Sequence, residues 1–349
     1  VVAGLVKEAG HEVIGLAMKT HSSSTKANRA CCTPDDMRDA RRVADILDIP
    51  FYVLNYEDVF KEEIIKPFAE AYLSGRTPNP CVDCNDKVKF RPLLERAELL
   101  GAEKLATGHY ARVEERNGNF SLHRGEDTRK DQTYFLYRLT QKQLSKLWFP
   151  VGEMTKSEVR ENARRLGLPL ADKHESQEIC FVGKEGYAAT VEEISGRRGK
   201  VGNIVRSDGT VLGRHLGIHR FTLGQRKGLG IAAPKPLYVV DIRHETGEVV
   251  VGESSELLSE SVSVNKLIWL NDIPQDGTQL LVQQRYRGEP QEAYVYHEPQ
   301  GVVKLVFAEP QKTGAPGQAA VLYCGDRVVG GGVILAQGYK ASLPIVGAL

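Results

Sequence analysis

The stretch Val13-Ile14-Gly15-Leu16-Ala17-Met18 is the first segment of the chain that predicts its fold. A run without polar side chains is typical of a strand buried on both faces, as in a parallel sheet. Upstream, Val1 to Ala9 has the composition of a helix end, and Gly10 stands where a C-terminal glycine closes a helix. Downstream, Pro34-Asp35-Asp36 places a proline and two acids as a first helical turn favours them. The apolar stretch therefore lies between two helices.

This alternation continues along the N-terminal half. We predict further strands at residues 51–54 and 104–107, and helices at residues 57–73 and 90–100. Strands that alternate with helices form βαβ units, so the sequence predicts an α/β fold with a doubly wound parallel sheet. Ligands bind such sheets at the carboxyl ends of the strands. The residues that follow strands, Met18 onward and Gly108-His109-Tyr110, are therefore the first candidates for a binding site.

The sequence pattern changes after about residue 185. A Gly-rich, basic region follows, and from Ser261 onward the chain consists of short alternating segments that are typical of a small β-barrel. We predict three domains: residues 1–185 form the α/β domain, residues 186–255 a small central domain, and residues 256–349 a C-terminal β-barrel.

Composition limits the class of protein. The formal net charge is +1, so any nucleic-acid surface must be a local patch. The chain has neither a long apolar run nor a secretory leader, and its six cysteines are too sparse for a disulfide-stapled secreted scaffold. We therefore expect a cytoplasmic protein whose cysteines serve metal or redox chemistry. These are Cys31, Cys32, Cys81, Cys84, Cys180 and Cys324.

Two of the cysteines lie in Thr77-Pro78-Asn79-Pro80-Cys81-Val82-Asp83-Cys84-Asn85. Each proline restricts its own residue and the one before it, which predicts an extended loop that presents thiols at fixed positions. A structural zinc site is an alternative, but the chain has no second C-x-x-C pair to complete four ligands. A thioredoxin-like motif would open a helix directly after a strand, whereas this segment follows a helix.

Three other segments are weak signals taken singly. Cys180, in Ile179-Cys180-Phe181, has the surroundings of a small core residue. Lys130-Asp131-Gln132 before Thr133-Tyr134-Phe135-Leu136 is a charged triplet that could simply begin a helix. Between residues 182 and 230, nine Lys or Arg face four acids, which suits a phosphate-binding surface and equally a solvated charged face. Gly224 to Gly230 is similar to a phosphate-cradling loop but lacks the P-loop spacing.

Taken in order, these segments resemble the tRNA-specific 2-thiouridylase family. The matching stretches are Thr77-Pro78-Asn79-Pro80 with Cys84-Asn85 and Lys89-Phe90, Ala106-Thr107-Gly108-His109-Tyr110, Lys130-Asp131-Gln132 with Tyr134-Phe135-Leu136, Ile179-Cys180-Phe181, Thr222-Leu223-Gly224-Gln225-Arg226-Lys227-Gly228-Leu229-Gly230, Arg285-Tyr286-Arg287, and Ala315-Pro316-Gly317-Gln318. They span nearly the whole chain up to Ala336, and their shared order makes the resemblance specific.

The resemblance implies an ATP-dependent enzyme that puts sulfur on the wobble uridine of tRNA. ATP, with Mg²⁺, adenylates the C2 oxygen, a persulfide on Cys180 delivers sulfur, and Cys84 closes a transient disulfide with Cys180. The implied partners are a sulfur donor protein and tRNA, which the small central domain at residues 186–255 would contact. The implied sites are Met18 and Gly108 for ATP; Asn79, Pro80 and Cys81 for the target base; and His109, Lys130, Asp131, Gln132, Arg285, Tyr286 and Gln318 for tRNA.

The sequence departs from the family pattern in two places. The family holds the ATP phosphates with a Ser-Gly-Gly-Val-Asp-Ser loop before the first helix, and Val1 already stands where that helix is under way. We therefore expect residues 1–349 alone not to release AMP. Cys81 replaces the Asp of many relatives, so Cys81, Cys84 and Cys180 could instead hold three irons of an iron–sulfur cluster.

Other interpretations of the sequence stay open. Another ATP-adenylating ligase or amidotransferase on the same scaffold would need neither a cysteine pair nor a basic central region. A non-catalytic tRNA-binding protein would not need the ATP loop. Cys31 and Cys32 are expected to be loop thiols, with a sulfur relay as the alternative, and Cys324 is expected to lie in a strand core.

Overall fold

A computed structural model of the chain describes residues 1–21, 34–169 and 179–336. These residues form two compact units. We call the first the N-terminal unit; it comprises Val1–Ser74, Asn79–Gly199 and Asp326–Val328. The second, the C-terminal unit, comprises Gly75–Pro78, Lys200–Gly325 and Val329–Leu349.

The N-terminal unit contains both helices and strands. Its α-helices are α1 (Val2–Glu8), α2 (Pro34–Ile46), α3 (Glu57–Phe60), α4 (Lys66–Leu73), α5 (Pro80–Asp83), α6 (Arg91–Leu99), α7 (Gln141–Leu144), α8 (Lys156–Arg165) and α9 (Tyr187–Ser195). Its strands are β1 (Gly15–Lys19), β2 (Phe51–Asn55), β3 (Leu105–Ala106), β4 (Ala111–Arg116), β5 (Asn119–Arg124) and β6 (Leu147–Trp148). Strands β1 and β2 pair in parallel, as do β3 and β6, which agrees with the predicted α/β class.

The predicted end of the first helix is confirmed. Helix α1 has its C-cap at Ala9, and Gly10 follows with φ of +88°. The amide of Gly10 donates to the carbonyl of Lys7, and the amide of His11 donates to the carbonyl of Val6. A left-handed glycine with these two bonds satisfies carbonyls that the helix end would otherwise leave open.

The predicted extended loop around Cys81 and Cys84 is wrong. Helix α5 begins at Pro80, a π-helical segment follows over Cys84–Phe90, and α6 continues directly from it. Pro80 suits the first helical position because its missing N–H would have no partner there. Asn79, restricted by the proline after it, takes non-helical angles (φ −114°, ψ 85°) and forms the N-cap. The two prolines therefore start a helix instead of preventing one.

One hydrophobic cluster holds several helices of the N-terminal unit together. It includes Met18 of β1, Phe60 and Phe68 of the helical run over residues 57–73, Val88 of the π-helical segment and Val191 of α9. That run also contains a π-helical segment, Lys61–Ile65, and the salt bridge Glu63–Lys87 (2.8 Å) connects the two π-helical segments. Sequentially distant helices thus share one core.

The C-terminal unit is built of strands. They are β7 (Gly202–Arg206), β8 (Val211–His215), β9 (Tyr238–Arg243), β10 (Glu248–Gly252), β11 (Leu258–Trp269), β12 (Gln279–Gln283), β13 (Gln291–Glu298), β14 (Val302–Lys312), β15 (Ala319–Cys324) and β16 (Arg327–Ile334, whose first two residues belong to the N-terminal unit). The first four form a sheet in the order β8-β7-β10-β9. The other six form a closed barrel, because β11 pairs with both β14 and β16. The predicted C-terminal β-barrel is confirmed.

Short 3₁₀ helices complete the described secondary structure, at Thr133–Phe135, Ile218–Arg220, Ser254–Leu257 and Pro299–Gly301. None of the helices in the described ranges is both long and apolar enough to cross a membrane.

Candidate active site and RNA-binding residues

Cys81 and Cys84 lie on one helical face. They stand three residues apart, Cys81 within α5 and Cys84 at the first position of the π-helical segment, and such a spacing brings side chains to the same side of a helix. Both are partly buried. Asn79 immediately before them is partly buried, and Pro80 is buried. The predicted base-pocket residues and the predicted partner thiol therefore occupy the first turn and a half of one helix.

Cys180 lies in a tight turn. The amide of Val182 donates to the carbonyl of Ile179 (3.1 Å), which makes Cys180 a central residue of the turn. Phe181 anchors the turn, because its ring makes edge contacts with Phe60 and Phe68 at centroid distances of 5.8 and 5.0 Å. The partly buried thiol is thus held at the surface of the core by its buried neighbour.

Cys84 and Cys180 pack against the same hydrophobic cluster, although 96 positions separate them in the numbering of the sequence. Met18, a predicted ATP-site residue, is a buried member of that cluster and is 8% exposed. The two predicted catalytic thiols and one predicted nucleotide contact therefore border the same hydrophobic core of the N-terminal unit.

Polar contacts fasten the cysteine-bearing helix to neighbouring segments. Arg138 forms a salt bridge with Asp83 (2.5 Å), Asn85 donates from Nδ2 to the carbonyl of Phe135 (3.2 Å), and Lys87 pairs with Glu63. Arg138 was missed by sequence reasoning. The sequence does contain a signal for this ion pair, since Arg138 lies inside the apolar run Phe135-Leu136-Tyr137-Arg138-Leu139. A mostly buried arginine is usually paired.

Asp131 is buried, and its bonds lie within its own unit. Its side chain is 4% exposed and forms a salt bridge with Arg124 (3.0 Å). It also accepts hydrogen bonds from the amide of Gly125 and from the amide and hydroxyl of Thr133. Burial raises the pKa of Asp131 above its usual value, although Thr133 and Arg124 oppose that shift. This arrangement suits a positioning residue for the segment that holds the cysteine helix.

Gln132 and Lys130 flank that carboxylate. Gln132 accepts at Oε1 from the amide of Tyr110 (3.0 Å), and its own amide donates to the carbonyl of Tyr110 (2.9 Å). Lys130 is partly buried, and its amide donates to the carbonyl of Asp127. The predicted Lys130-Asp131-Gln132 and Gly108-His109-Tyr110 motifs are therefore bound to each other through Tyr110.

His109 and Gly108 follow β3 at its carboxyl end. Gly108 is exposed, as a backbone position open to a ligand would be. The His109 ring packs near Phe90 and Phe149, with centroids 5.3 and 6.0 Å away, and its Nδ1 lies 2.8 Å from Thr107 Oγ1. Burial lowers the pKa of His109 to about 3, and the charge of Lys89 adds to the effect. His109 is therefore neutral at pH 7 and can offer RNA a hydrogen bond but no positive charge.

The depressed pKa of His109 predicts part of the acid sensitivity of the protein. The folded state holds this proton less tightly than the unfolded state, where the pKa is about 6.5. The stability that neutral His109 contributes is fully present above pH 6.5 and is lost as the pH falls towards 3. We expect His109→Gln to lose less free energy of unfolding than the unmodified protein between pH 7 and 4, measured by urea denaturation. An equal loss in both proteins would contradict this assignment.

The other predicted RNA contacts belong to the C-terminal unit. Arg285 donates from Nη2 to the carbonyl of Thr313 (3.0 Å). Gln283 Nε2 donates to the carbonyls of Arg285 and Tyr286, at 3.1 and 2.7 Å, which fixes the turn after β12. Gln318 Nε2 donates to the carbonyls of Thr77 and Pro78, both at 3.0 Å.

Gly317 has a backbone that only glycine readily adopts. Its φ is +92°, and a Cβ at this position would lie 3.0 Å from the Thr77 carbonyl oxygen. The amide of Thr77 also donates to the carbonyl of Pro316 (2.8 Å). The Ala315-Pro316-Gly317-Gln318 motif therefore clamps Thr77 and Pro78, the two residues that precede Asn79 in the chain.

No metal site is formed by the residues described. Within residues 1–21, 34–169 and 179–336, no group of three or more Cys, His, Asp or Glu side chains is placed to hold a metal ion. Cys81, Cys84 and Cys180 lie in these ranges and do not form such a set. The predicted Cys31–Cys32 pair lies outside the described residues. The prediction for Cys324 is wrong: it is exposed, because it ends β15 where the turn at Gly325 begins.

Three family models match successive parts of the chain. They are described as a tRNA methyl transferase HUP domain (residues 1–184), a tRNA methyl transferase PRC-barrel domain (residues 190–253) and an aminomethyltransferase beta-barrel domain (residues 259–334). The tRNA-specific 2-thiouridylase MnmA of Carboxydothermus hydrogenoformans is 48% identical over 342 residues, which cover 96% of this chain and 93% of that protein. The chain belongs to the tRNA-specific 2-thiouridylase family.

Other 2-thiouridylases agree with this assignment. MnmA of Geobacter metallireducens is 48% identical over 96% of this chain and 93% of its own length, and MnmA of Lachnoclostridium phytofermentans is 45% identical over 96% of each chain. The domain models carry a methyl transferase description, whereas these relatives, matched over nearly their full lengths, are named 2-thiouridylases. The predicted family is confirmed, as is the α/β domain followed by a small middle domain and a barrel.

Proposed function

We propose that this chain is a tRNA 2-thiouridylase in which Cys180 carries sulfur as a persulfide and Cys84 is its partner thiol. The observation that supports these roles most is that both thiols pack against one hydrophobic cluster together with Met18. Cys84 sits on a helix fixed by Arg138 and Asn85, and Cys180 sits in a turn fixed by Phe181. Two thiols on separately anchored elements can exchange a disulfide without refolding the core.

The first step activates the base. A uridine C2 oxygen is a poor leaving group. Its attack on the α-phosphate of ATP releases pyrophosphate and forms an adenylate, and the adenylated oxygen is a good leaving group. Met18 and Gly108 would contact the adenine. Mg²⁺ would enter with the ATP phosphates, as this ion usually does.

The second step transfers sulfur. The terminal sulfur of the Cys180 persulfide attacks C2, and AMP leaves with the original C2 oxygen. The Cys84 thiolate then attacks the Cys180 sulfur, which breaks the persulfide S–S bond and leaves the terminal sulfur on C2. The product disulfide Cys84–Cys180 is reduced by two electrons from a thiol reductant, and a sulfur donor protein restores the persulfide.

The target uridine must leave its stack to reach these thiols, and base-modifying enzymes bind such a base in a pocket. Asn79, Pro80 and Cys81 would line that pocket. We assign tRNA contacts to His109, Lys130 and Gln132 on the N-terminal unit and to Arg285, Tyr286 and Gln318 on the C-terminal unit. Asp131 would act by positioning its neighbours, because its carboxylate already accepts bonds from its own unit. A cytoplasmic location fits a reaction that depends on reduced thiols.

The proposal is tested by incubating the protein with tRNA, ATP, Mg²⁺ and a persulfide donor, and measuring 2-thiouridine by mass spectrometry of tRNA nucleosides. With a Ser-Gly-Gly-Val-Asp-Ser loop present ahead of Val1, we expect one AMP and one pyrophosphate for each 2-thiouridine, and no product when ATP is omitted. Residues 1–349 by themselves are expected to release no AMP. Product formed without ATP, or tRNA binding with no 2-thiouridine under any of these conditions, would contradict the proposal.

A further inference from the structure

Cys81 is a third thiol, and the reaction proposed above gives its sulfur no chemical role. The amide of Cys84 donates to the carbonyls of both Pro80 and Cys81, so Cys81 and Cys84 stand one tight helical turn apart. A bond to the third residue back is of the 3₁₀ type, in which side chains three positions apart eclipse each other. Cβ atoms at this spacing lie about 5–6 Å apart in an α-helix, against about 3.5–4.5 Å in a disulfide. A small local adjustment therefore brings the two sulfurs into bonding distance.

The C-x-x-C segment also begins a helix, as such segments do in thiol–disulfide oxidoreductases. Pro80 is the first helical residue and Cys81 the second, and the helix continues through the π-helical segment into α6. The first turn of a helix favours negative charge, and a thiolate is the form of cysteine that attacks a disulfide. Asp83 would repel such a thiolate, but its carboxylate is paired with Arg138 (2.5 Å). The helix start therefore suits a nucleophilic thiol at Cys81.

The two thiols of this helix have different neighbours. Cys84 and Cys180 pack against the hydrophobic cluster around Phe68, whereas Cys81 is not among the described residues that do so. Cys81 is nevertheless partly buried, so it is neither a core side chain nor a fully exposed one. Cys84 is therefore the one thiol that shares the edge of the core with Cys180 and a helical turn with Cys81.

We propose that Cys81 is a resolving thiol that takes over the disulfide from Cys180. The proposal rests on the roles proposed for Cys84 and Cys180, and it adds one step after sulfur transfer. The Cys81 thiolate attacks Sγ of Cys84, the Cys84–Cys180 bond breaks, and Cys180 leaves as a thiolate. A dithiol reductant then supplies two electrons and two protons to the Cys81–Cys84 disulfide. Cys180 is thus available to accept the next sulfane sulfur before any external reductant arrives.

A single turnover tests this exchange directly. The protein, with a Ser-Gly-Gly-Val-Asp-Ser loop ahead of Val1, is loaded with persulfide and mixed with tRNA, ATP and Mg²⁺ in the absence of reductant. Samples are quenched in acid at timed intervals, alkylated, and mapped for disulfides by mass spectrometry. We expect the Cys84–Cys180 disulfide to appear first and the Cys81–Cys84 disulfide to replace it, whereas Cys81→Ser stops at Cys84–Cys180.

The rate of multiple turnover gives a second readout. With a dithiol protein as reductant, we expect Cys81→Ser and Cys81→Ala to turn over at least about tenfold more slowly, because the reductant must then reach a disulfide at the edge of the core. A small-molecule dithiol at high concentration reaches that disulfide more easily and is expected to restore most of the rate. Cys324→Ser is the matched control, because its exposed thiol ends a barrel strand, and it should change neither the disulfides nor the rate.

Two outcomes would overturn the proposal. In the first, Cys81 stays reduced in the unmodified protein while Cys84–Cys180 accumulates, a result that needs no substitution and so does not depend on the folding of a variant. In the second, a small dithiol restores none of the rate lost by Cys81→Ser, which would make Cys81 part of the base pocket alone.

Oxidation by one equivalent of oxidised glutathione, without tRNA or ATP, separates this proposal from the proposed function. We expect a Cys81–Cys84 disulfide in the unmodified protein and a Cys84–Cys180 disulfide in Cys81→Ser. The same two disulfides in a protein that makes no 2-thiouridine would leave the thiol exchange standing and refute the proposed function alone.

Discussion

Replacing Cys180 with serine is expected to abolish 2-thiouridine formation, with a loss of at least about a thousandfold in rate. Serine preserves the size of the side chain at the turn that Phe181 anchors, so the fold should be retained. A hydroxyl oxygen, however, cannot carry the sulfane sulfur. The measurement is mass spectrometry of tRNA nucleosides, together with peptide mapping of persulfide after incubation with a donor.

Cys84→Ser separates the two thiol roles. We expect persulfide still to form on Cys180, whereas turnover stops because nothing can release the sulfur from Cys180 by forming the disulfide. Cys324→Ser is the control, since that exposed thiol lies at the end of a barrel strand and should leave activity within about twofold. Persulfide found on Cys84 with none on Cys180 would reverse the assigned roles.

Asp131→Ala is expected to lower the free energy of unfolding by about 3–5 kcal/mol, the usual cost of breaking a buried ion pair from one side. The change leaves Arg124 without its carboxylate and removes the acceptor for Gly125 and Thr133. Urea denaturation measures the loss. Glu62→Ala is the comparison, because its pair with Lys66 is an exposed helical contact worth only about 0.3–0.5 kcal/mol.

Asp131→Asn tests the charge itself. Because burial raises the folded pKa of Asp131, the folded state holds the proton more tightly than the unfolded state, whose pKa is about 3.9. The unmodified protein therefore exceeds Asp131→Asn in free energy of unfolding by the largest amount below about pH 4. This difference falls as the pH rises through the folded pKa of Asp131. If Asp131→Asn weakens tRNA binding strongly at unchanged stability, Asp131 contacts RNA directly and is not a positioning residue.

The α/β pattern could be predicted because its strands and helices carry strong local signals. The apolar run around Leu16 has no polar position to expose, and Gly10 ends its helix by a rule that acts within four residues. The cysteine segment could not be predicted in this way. Pro78 and Pro80 restrict the backbone in a manner compatible with an extended loop and with a helix start, and the choice depends on distant groups such as Arg138 and Phe135.

The candidate site was predicted through resemblance to a family more than through chemistry. Taken alone, Cys180 next to Phe181 is indistinguishable from a core cysteine, and in the fold it does pack on the core. Asp131 is the opposite case. A charged triplet is typical of an exposed segment, whereas tertiary contacts bury this carboxylate. Interactions between residues far apart in the chain decide such cases, and no local pattern encodes them.

The π-helical segment at Cys84–Phe90 makes the direction of the thiols depend on chain length. A π-helical turn accommodates an additional residue within an α-helix, and each residue of an α-helix advances the side chains by about 100°. Deleting one residue between positions 85 and 90 would therefore leave a regular helix but rotate Cys81 and Cys84 by about a quarter of a turn relative to Leu94 and Ala97, which are buried in α6. The number of residues in this helix is then as much a part of the proposed sulfur-transfer site as the cysteines that it carries.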